Sequence, residues 1–148
     1  MPQLQGRTAV ITGGGSGVGL ATAKLFLQHG ARVVIAGRDA AKLICAASEL
    51  QGGDHLLTHS ADVSDAKQAA ELIRHASEKL GRIDILVNNA GMNIKQRTMK
   101  ELTPESWRQM VGANLDGAFH CIYAALPAMR ERKDGVIICV NSVAGSAA

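Results

Sequence analysis

Hydrophobic and polar positions change rhythm several times along the chain. Short β-branched runs at 9–12, 32–36, 55–60, 83–87 and 136–140 predict strands, and the stretches between them carry apolar residues at helical spacing. After the first run, Leu20, Ala21, Leu25 and Leu27 set out an amphipathic helix. Asp39 is placed to cap the next, Ser64 to cap a helix over 66–80, and Thr103 with Pro104 behind it to open one running to about 132, bent at Pro127. Five strands alternating with four helical crossovers predict a parallel sheet. The strands read as nearly unbroken apolar runs (Val33-Val34-Ile35, Ile85-Leu86-Val87, Val136-Ile137-Ile138), so helices should cover both faces. Right-handed crossovers then give an α/β, doubly wound fold.

The first strand runs into Thr12-Gly13-Gly14-Gly15-Ser16-Gly17-Val18-Gly19, where five of the seven residues after Thr12 are glycine. A strand, a glycine loop and a helix N-terminus in that order offer free N–H groups to an anion and let a pyrophosphate approach the backbone. A plain turn would not need so many glycines, each with its conformational entropy cost. The GxGxxG spacing fits in no frame, because Val18, Leu20 or Thr22 falls where the last glycine belongs; TGxxxGxG fits through Thr12, Gly13, Gly17 and Gly19. The candidate pyrophosphate cradle is Gly13, Gly15, Ser16, Gly17, Val18 and Gly19.

Together with Asn88-Asn89-Ala90-Gly91 at the end of the fourth strand, this spacing resembles the short-chain dehydrogenase/reductase family. The resemblance covers residues 7–145. It implies a Rossmann-like sheet of strand order 3-2-1-4-5, with NADP or NAD across the C-terminal strand ends at the switch between strands 1 and 4. It further implies that Asp62 and Val63 border the adenine and that Asn89, Ala90 and Gly91 meet the cofactor. At the end of the second strand Gly37 leaves room for a 2′-phosphate that the Arg38 guanidinium could bind, which favours NADP; the competing reading makes Arg38 a solvated loop residue. Ser16 stands where many NADP-using members carry a basic residue. Asn114 lies on a stripe with Val111, Leu115, Ala118 and Phe119 that should be buried, either as a core amide satisfied by backbone or, as the family implies, as part of a proton relay. Ser142 occupies the family's place for the serine that hydrogen-bonds the reacting oxygen. The family's acid and base is a Tyr followed four residues later by a Lys. Here the one tyrosine, Tyr123, is followed at that distance by Pro127 and is expected among core residues. The expectation is therefore an NAD(P)-binding domain over 1–148, incomplete at its C-terminal end and lacking the later strands. The parent would be an alcohol/carbonyl oxidoreductase; the alternative is a dinucleotide-binding module without chemistry.

Composition narrows the rest. A 148-residue chain with 47% hydrophobic residues suits one domain. A net charge of +3, scattered along the chain, and 3% aromatics leave no basic tract or stacking platform for nucleic acid or an acidic membrane. No apolar run is long enough to span a bilayer and no signal opens the chain, so a soluble, cytoplasmic protein acting on a small molecule is expected. Cys45, Cys121 and Cys139 are expected as buried, reduced thiols. His55 and His59 share a strand face with no third ligand, so no metal site is expected. The last strand would expose an apolar edge in this chain, and the full-length protein is expected to be a homo-oligomer.

Overall fold

A computed structural model describes residues 3–95 and 98–142. Residues 96–97 and those after Ser142 lie outside the described residues. Five parallel strands, β1 (Thr8–Thr12), β2 (Arg32–Gly37), β3 (Leu56–Ser60), β4 (Ile85–Asn88) and β5 (Val136–Cys139), form one sheet in the order β3-β2-β1-β4-β5. Between them run α1 (Gly17–Gln28), α2 (Ala40–Leu50), α3 (Ala66–Leu80), α4 (Pro104–Val111) and α5 (Gly117–Arg132). The doubly wound arrangement and its strand order are those expected.

The core divides because successive strand residues point to opposite faces. Val10, Val34 and Leu86 pack with Leu72 and Ile73 of α3 and Cys121 and Met129 of α5. Ile11, Val33, Ile35 and Val87 pack on the other face with Ala23, Leu43 and Ala46. Both faces are thus apolar, which is why the strands lack a polar alternation. At the N-terminal edge of the sheet polar groups take over. The buried Asp84 carboxylate accepts from Thr8 N at 3.0 Å and Thr8 Oγ1 at 3.1 Å and pairs with Arg82 Nε at 2.9 Å. Arg7 bridges to Asp134 at 2.9 Å. Arg32 reaches across to the last carbonyls of α3, at 3.1 Å from Lys79 O and 3.3 Å from Leu80 O. The opposite, C-terminal edge is left to the loops.

Several local expectations change. Ser64 does not cap α3: Asp65 does, accepting from Lys67 N at 2.8 Å and Gln68 N at 3.0 Å, because Ser64 is drawn back to Asp62. His55 belongs to a 3₁₀ turn before β3, so it shares no strand with His59; His59 instead stacks on His75 of α3, ring centroids 4.6 Å apart. Burial, then His75, pushes the His59 pKa below its usual 6.5. The long helix is interrupted by a π turn at Gly112–Asp116, while Pro127 sits inside α5. Extra residues in that turn swing the side chains round, so Leu115 and Phe119 are exposed rather than buried, and Tyr123 is 73% exposed rather than part of the core. Of the cysteines only Cys121 is buried, its thiol pushed up to about 12; Cys45 and Cys139 are exposed. Val136 and Ile138 of β5 and Val140 just beyond it are exposed, and no strand among the described residues pairs with the outer edge of β5. No helix among the described residues is long and apolar enough to cross a membrane.

Candidate dinucleotide-binding site

The site grows from Thr12, the last residue of β1 and 2% exposed. Its Oγ1 accepts from Asn89 N and Ala90 N, each at 3.0 Å, and Asn89 Nδ2 donates back to Thr12 O at 3.0 Å and Gly13 O at 3.2 Å. These bonds fasten the loop after β1 to the loop after β4 at the point where the strand order reverses. Asn88, one residue earlier, ties β4 to β5 through Nδ2 and the Cys139 Sγ at 3.9 Å. Both Asn amides thus tie strand ends together.

The glycine loop then turns tightly into α1. Gly14 N donates to Ala36 O at 3.1 Å, which holds the loop beside β2. Gly17 has φ +54° with nothing within 4 Å of where a Cβ would lie, so backbone conformation alone selects glycine there. Gly19 is selected by space: its Cβ would lie 2.3 Å from Gly13 O. Ser16 stands at the N-cap of α1 in extended conformation, yet its hydroxyl caps nothing in the helix.

A cleft of about 190 Å³ opens over these strand ends. From the glycine loop it takes Gly13, Gly15 and Ser16, from the end of β2 Arg38, from beyond β3 Asp62 and Val63, and from beyond β4 Ala90 and Gly91. Asp62 Oδ1 is held by Ser64 N at 3.0 Å and Ser64 Oγ at 2.7 Å, which fixes the carboxylate beside the cleft. Val63 is buried, and its carbonyl lies 3.0 Å from His120 Nδ1. Ser60 Oγ donates to Arg38 O at 3.3 Å, so the guanidinium springs from an anchored backbone.

Not every expected residue faces this cleft. Gly17, Gly19 and Asn89 shape the loops without lining it, and Val18 is 60% exposed in the first turn of α1. Asn114 lies in the π turn, is exposed, and spends its amide on one residue: Oδ1 accepts from Met92 N at 2.8 Å and Nδ2 donates to Met92 O at 2.9 Å. It clasps the loop after Gly91 and is satisfied by backbone. Ser142 follows β5 by three residues, at the same edge of the sheet, and is exposed. Lys42 and Ala113 line the cleft without having been singled out from the sequence. Lys42 sits in the first turn of α2 among other polar residues, where no pattern distinguishes it.

The family profile described as short chain dehydrogenase matches residues 7–148. An uncharacterised oxidoreductase of Mycobacterium bovis is 41% identical over 142 residues, covering 96% of this chain and 57% of its own length. A D-beta-hydroxybutyrate dehydrogenase of Cupriavidus necator is 38% identical over 147 residues, covering 96% and 55%. Among solved structures, one reported as a candidate short-chain alcohol dehydrogenase from Sinorhizobium meliloti superposes with a TM-score of 0.91 at 32% identity, covering 98% of this chain and 57% of that one. The chain belongs to the short-chain dehydrogenase family. It spans a little over half the length of the curated relatives it matches.

Proposed function

We propose that this chain is the cofactor-binding portion of an NAD(P)-dependent oxidoreductase that interconverts an alcohol and a carbonyl. The observation that carries the reading is the Thr12–Asn89 fastening, which presents two glycine-bearing loops and a helix N-terminus to one cleft. In this reading residues 13–19 hold the pyrophosphate, the Asp62 carboxylate meets the adenine amine, and Asn89, Ala90 and Gly91 border the cofactor. A nicotinamide cofactor supplies hydride transfer when bound. Ser142 would hydrogen-bond the reacting oxygen, and Asn114 would steady the loop beside it through Met92.

NADP is the preferred cofactor, since Gly37 leaves the end of β2 without an acid and Arg38 follows it. A charge-assisted contact to the 2′-phosphate would contribute about 1.5–3 kcal/mol, roughly tenfold to a hundredfold in affinity. Self-association is part of the proposal: Leu115, Phe119 and Tyr123 form an exposed apolar stripe at i, i+4 spacing. The cytoplasm is the proposed compartment. Titrating NADP and NAD into wild type and Gly17→Val tests the core of the reading. Valine at φ +54° is strained, so binding should be lost; equal affinities would eliminate the cradle.

A further inference from the structure

Among the described residues four arginines are held by carboxylates and most other Lys and Arg side chains are not. Arg7, Arg74, Arg82 and Arg108 are each paired with a carboxylate. Arg38 and Lys42, which both line the cleft, pair with no carboxylate among the described residues. Between them lies Asp39, whose Oδ1 accepts from Lys42 N at 3.1 Å as the cap of α2. That cap bond is made to the backbone of Lys42 and not to its ammonium. The stem of Lys42 lies over the glycine loop, its Cβ 3.7 Å from where a Cβ on Gly15 would stand, next to Ser16.

We infer that Lys42 is a second specificity-determining residue for a 2′-phosphorylated adenosine, reaching from α2 to the place that Ser16 leaves without a charge. The inference rests on the NADP reading above. In it, the phosphate sits between the Arg38 guanidinium on one side and the Lys42 ammonium on the other, with the Ser16 hydroxyl available as a neutral donor. The loop needs no basic residue of its own, because the neighbouring helix lends one across the cleft. Arg38 can bind two phosphate oxygens in one plane; Lys42 adds a point charge on a flexible stem, so its share is the smaller.

The test uses small probes, so that binding rather than turnover is read. Isothermal titration with adenosine 2′,5′-bisphosphate and with 5′-AMP should show wild type favouring the bisphosphate. Lys42→Gln should weaken bisphosphate binding roughly three- to tenfold and leave 5′-AMP within about twofold, while Lys42→Arg should keep the preference. Because α2 is capped through the Lys42 backbone, the glutamine variant keeps that bond; unchanged circular dichroism verifies it. If Lys42→Gln leaves the preference intact while Arg38→Ala removes it, Lys42 has no such role and the NADP reading stands. If wild type binds both probes equally, the NADP reading itself is refuted and this inference with it.

Discussion

Replacing Thr12 by valine keeps the volume and the branch and removes one oxygen. That oxygen is the acceptor for two backbone donors, Asn89 N and Ala90 N, at 3.0 Å each. At 2% exposure no solvent reaches position 12 to replace it. A buried donor left without a partner costs about 1–3 kcal/mol, so two of them predict a loss of about 2–6 kcal/mol. For a chain of this size that corresponds to a fall in melting temperature on the order of 10 °C. Urea unfolding followed by circular dichroism gives the measurement: the midpoint should drop with an unchanged slope. Thr12→Ser separates the two parts of the side chain, since it keeps the acceptor and loses a methyl, a change of about 1 kcal/mol. A valine variant within about 0.5 kcal/mol of wild type would mean that both amides find another acceptor. The fastening of the two loops would then not depend on Thr12.

Other expectations follow from separate parts of the molecule. The His59 pKa is depressed in the folded state, so the unfolded chain binds more protons between that lowered value and 6.5; stability should be complete above pH 6.5 and fall as pH drops through the folded value. Urea midpoints at pH 8 and pH 5.5 measure this, and His59→Gln should reduce the difference. A thiol reagent should modify Cys45 and Cys139 in the native protein and Cys121 only after unfolding, because burial pushes that thiol up to about 12; mass spectrometry counts the adducts. The exposed apolar residues of β5 and of the Leu115–Tyr123 stripe should make this chain associate, with Phe119→Glu reducing it; light scattering from a monodisperse monomer at high concentration would count against that.

The sheet was legible because its signals are repeated and local. Val33-Val34-Ile35 and Ile85-Leu86-Val87 are short, β-branched apolar runs bounded by turn residues, the pattern of strands buried on both faces, and the capping residues Asp39 and Thr103 mark their helices by type and position. Side-chain geometry was less legible. Asp62, Ser64 and Asp65 are all good caps, and which of them serves depends on a 2.7 Å bond between the first two that no spacing reveals. The cysteines misled because an apolar neighbourhood in sequence is not burial in space: Cys45 lies on the outer side of α2 and Cys139 on the sheet's last strand. Lys42 joins the cleft only because α2 folds back across the end of β2.

The π turn at Gly112–Asp116 has a consequence for how this region can vary. A π turn holds about one residue more than an α turn, so α4 and α5 are one rod whose two halves are clocked differently. Residue 114 looks toward Met92 while residues 121, 125 and 129 look into the core. Removing one residue from 112–116 would let the rod close into uninterrupted α-helix with Cys121, Ala125 and Met129 still facing the core, because the wider turn is what takes up the extra residue. What such a deletion would lose is the local placement of Asn114, and with it the clasp on Met92. The length of this turn therefore bears on the loop beside the site and not on the core.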